Sequence, residues 1–161
     1  MNGVHTLRNV LLNEMEKGVE STCRLLEKIK ETDWSYRPAE RMRNLKKLTS
    51  HLIAIPETDL AIMQENKEEM IMEIEKKYSI MPAQQMRQAM QKGFEHFTAY
   101  MTSLSVEEFL TKKTTPFYLD KGLTQSQWLT ETLTHLFHHR AQLFNYLKQL
   151  DYEVSMFDLY I

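Results

Sequence analysis

Residues 124–150 read TQSQWLTETLTHLFHHRAQLFNYLKQL, and this stretch decides the fold. Thr124 followed by Gln127 is the pattern of a capping box, which predicts a helix that begins at Thr124 and runs to about Leu150. Leucines recur along it at helical spacing, at positions 129, 133, 136, 143 and 147. One face of this helix is therefore apolar along its whole length, which predicts that it packs against other helices.

The remainder of the chain repeats this helical periodicity. Three more long helices are predicted over residues 4–30, 44–66 and 82–103, with a short helix over residues 105–110. Pro56 should kink the second of them, and the charged stretch 67–78 fits either a helical arm or a loop. In the first helix the predicted inward positions are Leu7, Val10 or Leu11, Glu14, Gly18, Cys23, Leu25, Leu26 and Ile29. The sequence thus predicts an all-α fold, a four-helix bundle with long helices, formed as one domain by residues 1–161.

The composition excludes several classes of protein. The 161 residues carry a net charge of −2, which argues against a nucleic-acid binder and against binding to anionic membranes. No stretch approaches the ~18 apolar residues of a membrane span, and the N-terminus lacks the apolar core of a signal peptide. Cys23 is the one cysteine, which fits a reducing compartment. We expect a cytoplasmic protein in which Cys23 is an inert thiol.

The histidines of the last helix are candidate metal ligands. His135 and His139 are four residues apart, so their Cβ atoms should lie roughly 5–6 Å apart on one side of the helix. Both flank the leucine face, whereas His138 points to the opposite side. His51 flanks the apolar face of the second helix in the same way, so a contact between the two helices can bring three imidazoles together. Three protein ligands with an open position are typical of catalytic metal sites, although ordinary packed and hydrogen-bonded histidines remain the alternative.

The spacing around these histidines excludes two known metal motifs. Position 136 is Leu136 rather than glutamate, so the His-Glu-x-x-His motif of metalloproteases is absent. Glu131 precedes His135 by four residues rather than three, unlike the paired motifs of di-iron bundles. A mononuclear site is therefore expected, and imidazole ligands suit zinc, nickel, copper and iron alike. Asp59 or Glu57 could orient a ligand histidine.

Arg140 is the second unusual residue of the last helix. It lies almost at the centre of the leucine face, where a buried guanidinium needs a partner. We expect a backbone clamp or an ion pair, with Glu14 or Asp59 as the candidate partner; the alternative is an anion-binding group near the histidines. Trp128 and Tyr146 fall in the same sector of the helix as the histidines. Arg140, Trp128 and Tyr146 are thus candidate substrate-binding residues.

Three local stretches carry a resemblance to a known family. They are WSYRPA at residues 34–39, LTSHL at 48–52 and HLFHHRAQLFNYL at 135–147. In their order and spacing, the chain resembles the DinB-like (damage-inducible, YfiT-like) superfamily of metal-binding four-helix bundles. Ala141 and Asp151 stand where that family commonly has glycine. Neither position is a ligand, so the departures leave the expected site intact.

The resemblance implies a site in which His51, His135 and His139 hold one divalent ion, zinc, nickel or iron, beside a small-molecule substrate. It also implies a cytoplasmic protein that is often a homodimer, and the family's link to DNA damage does not imply binding to nucleic acid. The first helix and the aromatic tail, residues 152–160, could supply the dimer face. The tail could equally fold over its own bundle.

Three functions are compatible with this resemblance. Some relatives use a low-molecular-weight thiol such as bacillithiol or mycothiol as cosubstrate, and others are called metal-dependent hydrolases. We therefore expect first a thiol-dependent S-transferase, in which Arg140 or Arg37 recognises a carboxylate of the thiol or of its acceptor. The second expectation is a metal-dependent hydrolase. The third is a non-enzymatic, stress-linked bundle with a structural metal, because a fold does not fix a function.

Overall fold

The computed structural model describes residues 2–160, which are 74% helical and contain seven α-helices. In chain order they are α1 (Asn2–Lys28), α2 (Leu45–Met63), α3 (Glu68–Ser79), α4 (Ala83–Ser103), α5 (Val106–Thr111), α6 (Gln125–Gln149) and α7 (Met156–Tyr160). A short 3-10 helix at Glu31–Asp33 follows α1. Two short strands, β1 (Lys113–Thr114) and β2 (Leu123–Thr124), pair antiparallel between α5 and α6, with Lys113 opposite Thr124.

The four long helices α1, α2, α4 and α6 enclose the core. Helix α2 packs against α4 and α6, and α1 packs against α6 and α4. Fully buried side chains come from all four, among them Met15, Leu52, Met90, Phe97, Leu136 and Leu143. The predicted all-α bundle is confirmed. None of the helices within residues 2–160 is long and apolar enough to cross a membrane.

Side-chain caps fix the starts of α2 and α6. Asn44 Oδ1 accepts a hydrogen bond from the backbone N–H of Lys47 at 2.8 Å. Thr124 and Gln127 form a reciprocal capping box, in which each side chain accepts from the other's backbone N–H. Both caps satisfy N–H groups that the first turn of a helix leaves unpaired. The predicted starts of these two helices therefore agree with the structure to within one residue.

The charged stretch 67–78 is helical. It forms α3, which packs on α2 through the buried Ile71 and Tyr78. The Tyr78 hydroxyl donates to Glu57 Oε2 on α2 at 2.6 Å, so a polar contact joins the apolar ones. Pro56 lies buried inside α2, and the helix continues through it to Met63, three residues short of the predicted end.

The buried face of α1 differs from the prediction in the first half of the helix. Its buried side chains include Arg8, Leu12, Met15 and Val19, together with Cys23, Leu25 and Leu26, which the sequence predicted as inward. Leu7 is 60% exposed and Glu14 forms a surface ion pair with Lys17, so these two predicted inward positions are wrong. Of the alternatives Val10 and Leu11, Leu11 packs against the core and Val10 is 49% exposed. The difference arises at Arg8, because a pattern of hydrophobic residues does not predict that a charged side chain is buried. Its guanidinium donates to the carbonyl of Leu104 at 2.8 Å and covers the ring of Phe109.

Cys23 is a buried, free thiol. Burial raises the pKa of Cys23 to about 11, and nearby arginine charges only partly offset that effect. Because the thiolate is the reactive form, this side chain is a poor nucleophile at neutral pH. The predicted inert role of Cys23 agrees with these observations.

The C-terminal segment folds over its own bundle. Helix α7 packs on α1, where Asp158 forms an ion pair with Lys28 at 2.9 Å. The Tyr152 hydroxyl donates to Asp33 Oδ2, and the backbone N–H of Lys30 donates to the same hydroxyl at 2.9 Å. Of the two outcomes predicted for the tail, the contact with its own bundle is the one observed.

Gly18 sets the distance between α1 and α6. A Cβ atom at this position would lie 2.8 Å from Leu136 Cδ2 and 3.0 Å from Phe137 Cε2. We expect Gly18→Val to lower the free energy of unfolding by about 1–3 kcal/mol, the usual cost of overpacking a core, as measured by urea titration. Gly3→Val is the matched control, because nothing lies within 4 Å of a Cβ at Gly3. Equal stability of the two variants would contradict this assignment.

Candidate metal centre

Three histidine side chains converge between α2 and α6. His51 lies on the middle of α2, and His135 and His139 lie on successive turns of α6. His51 Nε2 is 3.2 Å from His135 Nε2 and 3.1 Å from His139 Nε2. The two packed helices therefore bring together the three side chains that the sequence predicts as ligands. As a group, these side chains are close enough to hold one metal ion.

The distances between the nitrogens fit a single ion. Zinc is bound by histidine at about 2.0–2.1 Å with tetrahedral angles, which places pairs of ligand nitrogens about 3.3 Å apart. The two Nε2 distances from His51 are 3.2 and 3.1 Å, close to that value. The side chains therefore need only small movements to coordinate an ion. With three protein ligands, such a site would keep one position open.

Hydrogen bonds on the far side of the rings fix two of the three imidazoles. His135 Nδ1 lies 3.1 Å from Asp59 Oδ2, and His139 Nδ1 lies 2.8 Å from Gln142 Oε1. Both oxygens accept, so each Nδ1 carries the proton and donates it. The Nε2 atoms of His135 and His139 are then unprotonated, and His51 can donate to only one of them. A cation at the centre satisfies all three lone pairs at once.

The electrostatic environment keeps two of these rings neutral. Burial lowers the pKa of His51 to about 3, with further contributions from the charges of His139, Arg43 and His135. Burial also lowers the pKa of His139 to about 4, although its hydrogen bond to Gln142 acts in the opposite direction. Both imidazoles are thus uncharged at neutral pH, with one ring nitrogen free of a proton, and this is the form that binds metals.

A cavity of about 260 Å³ borders His51 and His135 on the side of α3 and the segment 115–122. Its apolar wall is formed by Ile55, Ile71, Met72, Phe117 and Tyr118, and its charged wall by Asp59, Glu68 and Glu75. We call it the acidic cavity. An apolar wall with a few polar groups next to a cluster of ligand atoms is the usual composition of a small-molecule site.

A second cavity of about 260 Å³ borders His51 on the side of the α2 N-terminus. Its polar groups, apart from His51, come from Arg43, Lys47, Ser50, Glu75 and Ser79. We call it the basic cavity. His51 and Glu75 line both cavities, so the two spaces meet at the histidine cluster.

Comparison with known proteins assigns the family. The sequence pattern of the DinB family matches residues 2–161. The chain belongs to the DinB family. No curated protein matches it. Membership agrees with the resemblance seen in the sequence and with the histidine cluster, and it does not specify a reaction.

Solved structures show that this DinB protein shares its fold with relatives of low sequence identity. A protein assigned to the DinB family from Exiguobacterium sibiricum is 23% identical with a TM-score of 0.74, over 92% of this chain and 94% of that one. A DinB-like protein from Bacillus cereus is 20% identical with a TM-score of 0.70, over 90% and 93%. One from Bacillus subtilis is 18% identical with a TM-score of 0.65, over 89% and 94%. At these identities the likeness supports the fold alone.

In this DinB protein, Arg140 lies away from both cavities. It is 4% exposed, and its NH1 donates to Ser21 Oγ at 2.8 Å and to the carbonyl of Leu159 at 3.1 Å. The predicted ion pair with Glu14 or Asp59 is wrong, because Glu14 pairs with Lys17 and Asp59 accepts from His135. The alternative of a backbone clamp describes the contact with Leu159.

The other two candidate substrate-binding residues also lie outside the cavity walls. Trp128 Nε1 donates to Thr114 Oγ1 at 2.9 Å, and the Tyr146 hydroxyl donates to the carbonyl of Arg43 at 2.9 Å. The aromatic wall beside the histidines comes instead from Phe117 and Tyr118, which sequence reasoning missed. In the sequence, Phe117 and Tyr118 are only two adjacent aromatic residues in a segment without helical or strand periodicity. Such a pair does not predict where the side chains lie in the fold.

Asp59 is expected to matter for metal affinity. It orients His135 from α2, and changes of such outer carboxylates typically cost 10–100-fold in affinity. We expect Asp59→Ala to weaken zinc binding by about that factor in a competition titration with a chromophoric chelator. Glu57→Gln is the matched control, since Glu57 pairs with Lys77 and Tyr78 instead. Unchanged affinity in Asp59→Ala would show that the Asp59 contact does not orient a ligand.

Proposed function

We propose that this DinB protein is a metal-dependent enzyme, in which His51, His135 and His139 hold one divalent ion, zinc, nickel or iron. We propose further that it is a thiol-dependent S-transferase of the bacillithiol type. The observation that carries the proposal is the convergence of three Nε2 atoms, two of them fixed by partners on Nδ1, at the border of two cavities. A closed structural site would instead supply four protein ligands.

The nucleophile of this reaction has to come from a second molecule. Cys23 is the chain's one cysteine, and it is buried with a raised pKa. A divalent ion supplies the missing chemistry when bound, because it lowers the pKa of a thiol and yields thiolate at neutral pH. In the reaction, the sulfur forms a bond to an electrophilic carbon of the acceptor. The leaving group departs with the electron pair of its bond, and the thiol proton passes to solvent.

The residues of this chain bind and orient the reactants. Asp59 and Gln142 hold the rings of His135 and His139. The rings of Phe117 and Tyr118 line the acidic cavity and offer an apolar surface to an acceptor bound there. This arrangement contributes mainly by proximity, since it places two reactants in adjoining cavities.

A metal-dependent hydrolase is the second candidate, and one observation favours it. Glu68 and Glu75 line the acidic cavity and do not form an ion pair with any residue between 2 and 160, so a carboxylate is present that could accept a proton from water. The sequence alone did not place a carboxylate there. The third candidate, a bundle with a structural metal, predicts that chelation unfolds the protein.

One experiment separates these functions. Metal-loaded protein is incubated with a panel of aryl halides, epoxides and activated esters, with bacillithiol, with 2-mercaptoethanol and without thiol. Turnover that requires a thiol supports the transferase, and ester hydrolysis without thiol supports the hydrolase. No turnover, together with unfolding on chelation as followed by circular dichroism, supports the structural role. His139→Ala is the control for turnover that does not involve the site.

We also propose that the protein is a cytoplasmic homodimer. The surface that a second copy would cover is an apolar groove of about 470 Å³ between α1, α5 and α6, with Leu7 and Leu110 exposed at its walls. Light scattering after gel filtration should give about twice the chain mass of 19.2 kDa. Leu7→Glu should then halve the mass, whereas His96→Glu, on α4, should leave it unchanged. A monomeric parent protein would rule out the dimer.

A further inference from the structure

The two cavities beside His51 carry opposite charge. The acidic cavity is lined by three carboxylates and the basic cavity by two cationic side chains and one carboxylate. We propose that the basic cavity binds a carboxylate-bearing arm of the thiol cosubstrate, so that the thiol enters beside Arg43 and Lys47 and the acidic cavity receives the acceptor. This inference rests on the proposed transferase function and specifies which thiols it uses.

The charges of Arg43 and Lys47 are available to a ligand. Both side chains are exposed, and neither forms an ion pair or a side-chain hydrogen bond with another residue of the described part of the chain. Glu75 is the one acidic group on the wall of the basic cavity, which leaves that wall with a surplus of positive charge. A carboxylate therefore gains two attractive partners there and meets one repulsive group.

The position of these groups suits a ligand that also reaches the histidines. Lys47 and His51 are one turn apart on the same face of α2, so their Cβ atoms lie roughly 5–6 Å apart, and both side chains line the basic cavity. The N-terminus of α2 adds the positive end of the helix dipole to the same region.

Ser50 supplies an independent observation. It lines the basic cavity and is only 5% exposed, yet its hydroxyl has no hydrogen-bond partner within residues 2–160. A buried polar group without a partner costs roughly 1–3 kcal/mol, so most such groups are satisfied. The wall of the basic cavity therefore contains one unpaired buried hydroxyl as well as two cationic side chains.

The acidic cavity excludes the same ligand. Asp59, Glu68 and Glu75 would repel a carboxylate, and the apolar surface of Phe117 and Tyr118 favours an uncharged or cationic body. The two cavities thus sort two reactants by charge, on either side of His51. A small dianionic thiol should bind better than a neutral thiol of similar size.

The test measures thiol binding to the cobalt(II)-substituted protein. Binding of a thiol sulfur to cobalt produces a charge-transfer absorption in the near ultraviolet, so the readout is independent of turnover. The probes are mercaptosuccinate, which carries two carboxylates, and 2-mercaptoethanol, which carries none. The proteins are the parent, an Arg43→Gln/Lys47→Gln variant, and a Lys112→Gln/Lys121→Gln variant with the same change in charge at exposed positions outside both cavities.

We expect the parent protein to bind mercaptosuccinate about tenfold or more tightly than 2-mercaptoethanol, with a smaller preference at high salt. The Arg43→Gln/Lys47→Gln variant should lose that preference and keep its affinity for 2-mercaptoethanol, whereas the control variant should keep both. Equal affinity of the parent for the two thiols, or a preference that survives in Arg43→Gln/Lys47→Gln, would overturn the inference but leave the transferase in place. No thiol absorption with either probe would overturn the transferase function itself, and this inference with it.

Discussion

The His51→Ala and His139→Ala proteins are each expected to lose the bound metal, from about one ion per chain in the parent to about a tenth of that. Each change removes one of three nitrogens, and the two that remain leave an ion half coordinated. Loss of an outer carboxylate already costs 10–100-fold in affinity, so loss of a ligand should cost at least about 100-fold. The measurement is inductively coupled plasma mass spectrometry on protein purified without a polyhistidine tag.

Two other histidines serve as matched controls for this experiment. His138 is exposed on α6 beside His139, and His96 lies on α4 away from the cluster. His138→Ala and His96→Ala should keep the metal content of the parent. Circular dichroism should show the same helix content in all four variants, because the apolar core holds the bundle together without the cluster. Metal retained in His51→Ala and in His139→Ala would contradict the three-histidine site. No metal in the parent, even after reconstitution, would leave these side chains as packed residues.

The three histidines could be predicted because helical periodicity carries most of the information about them. A spacing of four places His135 and His139 on one side of α6, and their distance from the leucine face places them beside the core. His51 has the same relation to α2, so one helix contact completes the group. Helical spacing also places Asp59, two turns after His51, on the side of α2 that carries His51. It therefore distinguishes Asp59 as the residue that orients a ligand from Glu57, which faces Lys77 and Tyr78.

The cavity walls could not be predicted because they depend on segments without periodicity. Phe117 and Tyr118 lie between β1 and β2, where the direction of a side chain is set by tertiary contacts. One such contact is the hydrogen bond from the backbone N–H of Thr115 to Glu65 Oε1 at 2.9 Å. No local pattern relates residue 65 to residue 115. The basic cavity depends instead on the contact of α3 with α2, which no local sequence pattern predicts.

The two buried arginines show a second limit of sequence patterns. Arg8 and Arg140 both lie in the core, and both use backbone carbonyls and aromatic faces as partners instead of carboxylates. A carbonyl partner has no sequence signal, since every residue carries one. The predicted face of α1 therefore contained Leu7 in place of the buried Arg8. The acidic side chains predicted as partners of Arg140, Glu14 and Asp59, pair with other residues.

Arg140→Ala is expected to lower the free energy of unfolding by about 2–4 kcal/mol, the range for truncation of a buried side chain. The guanidinium joins three parts of the structure, because it bonds Ser21 on α1 and the carbonyl of Leu159 on α7 while it rests on the ring of Phe137. Its removal should also release α7 from the bundle. Urea titration measures the stability, and hydrogen exchange of residues 156–160 measures the release.

Arg140→Met distinguishes the contribution of apolar packing from that of the guanidinium hydrogen bonds. Methionine replaces the methylene groups of arginine with an apolar chain and removes the charge. Burial of a charge is itself costly, so Arg140→Met should be more stable than Arg140→Ala, while α7 should be released in both. Ser21→Ala removes one partner and should have the smallest effect, because Leu159 and the ring of Phe137 remain. All three proteins should keep the parent's metal content and its affinity for mercaptosuccinate. A loss of thiol binding in Arg140→Met at unchanged stability would instead make Arg140 a substrate-binding residue, and stability of Arg140→Ala equal to the parent would contradict its role in holding α7.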